Sequence, residues 1–147
     1  MTWLELLAQA RIAREATSSS ELLELKSLTA LYLADARLTA LSDDGRFDRA
    51  YGAARTLSVM VIRSEGYRVK PTAGSHHATF LALDAADTTE FSAFASYFDR
   101  CRSKRNELSY EHGGIVSRAE VEDLLARVEE FASVVATWIS SHHPELV

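Results

Sequence analysis

Residues 117–139 read SRAEVEDLLARVEEFASVVATWI and carry the clearest helical pattern in the chain. Ser117 and Glu120 have capping-box spacing, in which each side chain accepts a hydrogen bond from the other residue's backbone amide at the start of a helix. The apolar residues that follow recur every three or four positions, the period of a helix with one buried face. That predicted buried face comprises Val121, Leu124, Leu125, Val128, Phe131, Ala132, Val135, Trp138 and Ile139.

The same period recurs towards the N-terminus, and strict two-residue alternation is absent, so we predict an all-α helical bundle. The spacing predicts helices over about residues 2–15, 19–41, 43–65, 76–83 and 89–112, with a long loop over 67–75 and a frayed tail from 142 to 147. Ser18 and Glu21 repeat the capping-box spacing. The predicted inward residues of the second and third helices are Leu22, Leu25, Leu28, Tyr32 and Ala36, then Phe47, Tyr51, Ala54, Ser58 and Val61.

Composition narrows the class of protein. The chain has 147 residues, of which 47% are hydrophobic. This is enough to bury the core of a single domain over residues 1–147, and the chain is too short for two ordinary domains. Sixteen basic against 21 acidic residues give a net charge of −5, so nucleic-acid binding requires a local patch. Cys101 is the only cysteine, which excludes an intrachain disulfide. With no signal sequence or membrane-spanning run, we expect a cytoplasmic protein without a membrane partner.

The local patch lies in residues 100–112, which read RCRSKRNELSYEH. Four basic side chains occupy six positions there: Arg100, Arg102, Lys104 and Arg105. Helical geometry places Arg105 in line with the apolar Phe98 and Cys101, so its guanidinium is expected to be partly desolvated and to need an acid, a phosphate or a carbonyl. We interpret Cys101 itself as a small core residue.

Arg105 and His112 are residue types that suit cleavage of RNA. A permanently charged arginine stabilises the phosphorane, while a histidine that titrates near neutrality moves the proton of the 2′-hydroxyl or of the leaving group. His112 lies two helical turns after Arg105, and a bend at Gly113–Gly114 would shorten the gap. The alternative is structural: Arg105 pairs with an acid from another helix, and His112 is a cation at a helix end.

His76 and His77 follow the flexible loop and begin a short helix. The structural interpretation is that Ser75 caps this helix and one histidine packs against the bundle, because neighbouring histidines on a helix point about 100° apart and chelate poorly. A supporting role in a nucleotide or partner site is the minority hypothesis. No third metal ligand is evident from the sequence.

Residues 104–111, KRNELSYE, resemble the signature helix of the HEPN superfamily, in which an arginine, usually followed by asparagine or another polar residue, precedes a histidine by four to six further residues. The resemblance covers about residues 30–128 and is closest to a subgroup of small stand-alone bacterial proteins. The other segments that carry it are residues 35–37, 42–47, 50–51, 65–68, 74–77, 97–100 and 116–124.

The resemblance implies an up-and-down bundle of about five to six helices that forms a homodimer with a cleft between the two signature helices. It implies a metal-independent endoribonuclease that needs no cofactor and serves as a toxin of a toxin–antitoxin pair or as a defence component. The implied catalytic residues are Arg105, His112 and Tyr110. The implied RNA- or nucleotide-binding residues are Arg102, Asn106, Arg100 and Lys104, with His76 and His77 as possible supporting residues.

One departure keeps alternatives open. In the related branch that pairs with nucleotidyltransferase antitoxins, the histidine precedes the tyrosine, whereas here Tyr110 precedes His112. A tyrosine, with an ordinary pKa near 10, is a poor proton shuttle at neutral pH. The second hypothesis is therefore a catalytically inactive module that binds a nucleotide or a protein partner, such as an antitoxin or a nucleotidyltransferase. A third hypothesis, a structural helical adaptor, rests on the acidic net charge.

Overall fold

A computed structural model of the chain describes the backbone of residues 1–110 and 115–147 and the side chains of residues 1–107 and 115–147. This part of the chain is mostly helical, which confirms the predicted all-α bundle. Its elements in chain order are α1 (Trp3–Ala8), β1 (Ile12–Arg14), α2 (Ser19–Ala36), α3 (Asp43–Ser64), β2 (Tyr67–Val69), α4 (Ser75–Ala86), α5 (Thr88–Tyr110), α6 (Arg118–His142) and a 3-10 turn (Pro144–Leu146).

Helix α3 is the centre of the bundle, because it contacts α2, α4, α5, α6 and β2. Its predicted inward residues are all buried, which confirms the choice of face. Helix α6 also packs as predicted, with both halves of the Ser117–Glu120 capping box formed. Aromatic side chains of α5 and α6 fill the space beside α3: Phe91, Phe94, Phe98, Phe131 and Trp138.

The predicted N-terminal helix over residues 2–15 is wrong beyond Ala8. The chain turns at Ala10, whose φ of 56° is left-handed, and β1 then pairs antiparallel with β2 so that Ile12 lies opposite Val69. The predicted loop over 67–75 accordingly begins with a strand. Ile12 is buried in a small second core with Leu6. Two paired strands of three residues are too short to show alternation in the sequence, and only the distant partner reveals them.

The second helix is shorter than predicted, and one residue of its predicted buried face is exposed, whereas the other four lie in the core or pack against it. Helix α2 ends at Ala36 instead of near residue 41, and the predicted core residue Leu28 is 39% exposed. The leucines of α2 lie on all sides of the helix, so the three- and four-residue spacing does not select one face. Ser18 caps the helix as predicted, but the Glu21 carboxylate binds Thr17 and Arg63 and does not complete a capping box.

The observed ends of α3 and α4 lie within three residues of the predicted ones, whereas the C-terminus of the chain differs from the prediction. Helix α3 ends at Ser64, and Gly66, which follows its C-cap Glu65, takes the expected left-handed conformation with φ of 86°. Helix α4 extends three residues beyond the predicted end at Leu83. The predicted frayed tail from 142 is wrong, since His143 Nε2 lies 2.8 Å from Glu65 Oε2 and the 3-10 turn follows. No helix in the described ranges has the length and apolar character that a bilayer crossing requires.

A buried arginine ties the small sheet to the central helix. Arg63 of α3 is 5% exposed. Its guanidinium donates to the backbone carbonyl oxygens of Glu15, Ala16 and Tyr67 at 2.9–3.0 Å and to the Glu21 carboxylate at 2.6 Å. A buried guanidinium is tolerated only when its donors are satisfied, so these contacts fix the position of the chain on both sides of α3.

We expect Arg63→Ala to lower the free energy of unfolding by about 3 kcal/mol, because carbonyl groups and carboxylates arranged around the guanidinium lose their donor. Urea unfolding followed by circular dichroism measures the change. The control is Arg37→Ala, which removes an ion pair to Glu129 whose side chains are 52% and 48% exposed. That variant should cost less than about 1 kcal/mol. Equal effects of the two substitutions would contradict the structural role of Arg63.

Candidate functional site

Three helices bring together a group of side chains that we call the cationic cluster: Tyr51, Arg55, His76, Arg102 and Arg105. Helix α3 supplies Tyr51 and, one turn later, Arg55, while His76 stands in the first turn of α4. Helix α5 supplies the other two arginines, three residues apart and therefore on neighbouring parts of one face. All five residues of the cluster therefore stand on helices.

Tyr51 and His76 form a hydrogen-bonded pair within the cluster. The Tyr51 side chain is 2% exposed, and its hydroxyl oxygen lies 3.0 Å from His76 Nδ1. Burial lowers the pKa of His76 from its usual 6.5 to about 4, and the charges of the three arginines act in the same direction. Burial raises the pKa of Tyr51 well above its usual value of 10. At neutral pH the imidazole is therefore uncharged and the phenol keeps its proton.

Two aspartates partly neutralise the arginines. Arg105 Nε donates to Asp48 Oδ1 at 3.2 Å, and its guanidinium lies 5.9 Å from the centre of the Tyr51 ring. Arg102 Nε donates to Asp99 Oδ1 at 2.8 Å. Arg55 has no acidic partner among the described residues. Among the described side chains, three arginines thus face two aspartates, which leaves an excess of positive charge there in a chain whose net charge is −5.

The structure divides the basic run of α5 into two groups. Arg102 and Arg105 join the cluster, whereas Arg100 donates to Ser96 Oγ at 3.1 Å and lies over the Tyr97 ring. Lys104 pairs with Glu120 of α6 at 3.6 Å. Arg105 pairs with Asp48, an acid from another helix, as expected for a partly desolvated guanidinium. The structural interpretation of Arg105 also predicted a contact of this kind. Asn106 is half-buried on the same helix.

The Tyr110 side chain and the whole of His112 lie outside the described residues, so the predictions for them stay predictions. Tyr51 and Arg55 are the site residues that the sequence analysis did not assign to the site. Their one sequence signal is a four-residue spacing on α3, which places a charged side chain one turn from a buried aromatic. That signal occurs in many helices that carry no site.

The histidine pair is only partly as predicted. Gly74, and not Ser75, is the N-cap of α4, so no side chain caps the start of this helix. The two histidines do point apart: His76 packs on Tyr51, while His77 Nδ1 lies 2.9 Å from Asp99 Oδ1. Asp99 therefore links His77 to Arg102, and His77 belongs to the rim of the cluster.

Two other features carry less chemistry. Cys101 is a core residue as predicted, and burial raises the pKa of its thiol to about 11. A cavity of about 730 Å³ forms an apolar groove between α2 and α6, where Leu23 and Ile139 are among the lining residues and Lys26 is the one ionisable side chain among them. In the described ranges no three His, Cys, Asp or Glu residues are placed to hold a metal ion. Among the described side chains, those of the cationic cluster are therefore the best suited to proton transfer and anion binding.

Comparisons of the chain with protein-family models, with curated proteins and with solved structures found no match. The resemblance to the HEPN superfamily therefore rests on the residues quoted for it.

We expect His76 to resist protonation in the folded protein. The unfolded chain binds this proton near pH 6.5 and the folded chain only near pH 4, so unfolding takes up a proton between these values. The free energy of unfolding should fall as the pH drops from 6.5 to 4, and His76→Gln should remove part of that fall. Urea unfolding at several pH values tests this. His142→Gln, at the end of α6, is the control. An unchanged pH dependence in His76→Gln would contradict the burial of the imidazole among arginines.

Proposed function

We propose that the protein binds RNA by its phosphate backbone at the cationic cluster and cleaves it as a metal-independent endoribonuclease of the HEPN type. The observation that carries the proposal is the convergence of three arginines on a buried tyrosine that is hydrogen-bonded to a half-buried histidine. The resemblance of residues 104–111 to the HEPN signature helix supplies the reaction. It also supplies the setting: a cytoplasmic toxin or defence component whose site lies at a cleft between two copies of the chain.

The arginines suit a phosphodiester. A guanidinium presents paired N–H donors that match two phosphate oxygens and keeps its charge at every physiological pH. The side chains of Arg105 and Arg102 are 35% and 24% exposed, so each has a surface from which a phosphate can be reached. Arg55 adds a charge that no described carboxylate neutralises. A bound phosphate would compete with Asp48 for Arg105.

The reaction balances without a co-reactant. The proton of the ribose 2′-hydroxyl passes to a neutral imidazole, the 2′-oxygen forms a bond to phosphorus, and the bond from phosphorus to the 5′-oxygen breaks. The leaving 5′-oxygen takes up one proton, equal to the proton that the protonated imidazole gives back, and the products are a 2′,3′-cyclic phosphate and a 5′-hydroxyl. The arginines stabilise the extra negative charge of the phosphorane. The neutral imidazole of His76 supports its proposed role as the proton acceptor, and His112 is the residue that the resemblance assigns to proton transfer.

The hydrogen bond between Tyr51 and His76 also supports the second candidate, a module that binds RNA or a nucleotide without cutting it. If Nδ1–H donates to Tyr51 Oη, Nε2 is free to accept a proton. If Tyr51 donates to Nδ1, Nε2 carries a hydrogen and donates to a phosphate oxygen. A pKa near 4 also makes His76 a weak base at neutral pH. Such a module would act through a protein partner, such as an antitoxin or a nucleotidyltransferase.

Cleavage is tested by incubating the protein with a mixed RNA pool in excess chelator and identifying the new RNA ends. We expect wild type to leave 2′,3′-cyclic phosphates. Arg105→Ala and His76→Ala should each lower the rate about 100-fold, because they remove charge stabilisation and proton transfer. His112→Ala tests the residue that the resemblance assigns. Arg100→Ala, from the same basic run but outside the cluster, is the control and should change the rate less than about twofold.

Asp48→Asn separates a functional Arg105 from a structural one. If Arg105 binds phosphate, loss of the competing carboxylate should strengthen RNA binding while the protein stays folded. If the ion pair serves only stability, Asp48→Asn and Arg105→Ala should lower the free energy of unfolding alike and leave RNA binding unchanged. Intact RNA with saturable, salt-sensitive binding would favour the binding module. Neither binding nor cleavage by folded wild type would contradict both candidates.

A further inference from the structure

A second basic surface adjoins the cationic cluster, and Arg55 belongs to both. A cavity of about 240 Å³ lies where α3, β2 and the start of α4 meet, and we call it the basic pocket. Four of its lining residues are cationic and the rest are apolar or small. The cationic ones are Arg55, Arg63, Arg68 and Lys70.

Two of these four cationic side chains are paired with carboxylates of the same chain. The guanidinium of Arg63 is satisfied by three carbonyl oxygens and two carboxylates. Arg68 Nε lies 3.3 Å from Glu15 Oε2, and the Glu15 carboxylate is shared with Arg63. The remaining two, Arg55 and Lys70, have no acidic partner in the described part of the chain. The pocket therefore holds more positive charge than the protein around it neutralises.

The pocket is displaced from the cluster along α3. Tyr51 marks the cluster on this helix, while Arg55, Val59 and Ile62 follow at successive turns and line the pocket. A rise of 1.5 Å per residue puts Val59 about 12 Å beyond Tyr51 along the axis. On α4, Ser75 lines the pocket and the next residue, His76, belongs to the cluster. The two surfaces are thus adjacent, with Arg55 between them.

We infer that the basic pocket binds a second phosphate of the same RNA strand, so that the ligand of this protein is an oligonucleotide that spans both surfaces. This inference rests on the proposed function of the cationic cluster. The phosphates of a nucleoside diphosphate share one bridging oxygen and lie too close together to occupy two surfaces displaced by two helical turns. Phosphates of nearby nucleotides in a strand are separated by a sugar and can occupy both.

Lys70→Gln tests the inference, because Lys70 lines the pocket and is not part of the cluster. Lys26→Gln removes the same charge from the groove between α2 and α6 and is the matched control. The probes are a 2′-O-methyl hexanucleotide, which cannot be cleaved because it lacks the 2′-hydroxyl, together with a nucleoside monophosphate and ATP. Fluorescence anisotropy over a range of salt concentrations measures binding of the labelled hexanucleotide, and competition measures the other two.

We expect Lys70→Gln to weaken hexanucleotide binding about fivefold and to reduce the slope of log affinity against log salt by about 0.7, the contribution of one phosphate contact in a single strand. Its effect on the monophosphate should stay below about twofold, and Lys26→Gln should match wild type.

Three results would overturn the inference without contradicting the proposed function. The first is that Lys70→Gln and Lys26→Gln change hexanucleotide affinity equally, and the second is that Lys70→Gln weakens monophosphate and hexanucleotide binding equally. The third is that ATP binds as tightly as the hexanucleotide, with the same dependence on Lys70. In each case, Arg105→Ala would still abolish binding. Failure of wild type to bind any probe would instead contradict the proposed function, and the inference with it.

Discussion

The burial of most of α3 is the constraint on which the rest of the structure depends. A helix packed against four others must satisfy its buried polar side chains from within the bundle. Arg46 near its start binds the Ala36 carbonyl oxygen and Glu122, and Arg63 at its end binds the segments on both sides of the small sheet. Between them, Tyr51 is satisfied by His76. These contacts set the positions of α2, α4 and α6 around α3.

The same burial gives the cationic cluster its chemical character. An imidazole removed from water and set among arginines stays neutral at pH 7, which is the protonation state that a general base requires. An approaching phosphate brings negative charge to the arginines and favours the protonated imidazole. Under the proposed function, phosphate binding and proton uptake by His76 would therefore be coupled.

The features that the sequence predicted well are those encoded locally. The Ser117–Glu120 capping box, the apolar stripe of α6 and the left-handed Gly66 each depend on residues within a few positions of one another. The N-terminal strand was missed because Ile12 finds its partner Val69 more than fifty residues later. The buried face of α2 was predicted wrongly at Leu28 because the leucines of this helix lie on all of its sides. The site followed the same rule: the need of Arg105 for a partner was predicted, but Asp48, Tyr51 and Arg55 come from another helix.

The most direct test of the central claim is the titration of His76 by NMR with and without a saturating 2′-O-methyl oligonucleotide. If the cationic cluster binds phosphate, the negative charge beside the imidazole should raise the pKa of His76 from about 4 towards its usual 6.5. The resonance is assigned by its absence in His76→Gln. An oligonucleotide that binds saturably while the titration of His76 stays unchanged would show that RNA binds elsewhere and would contradict the account.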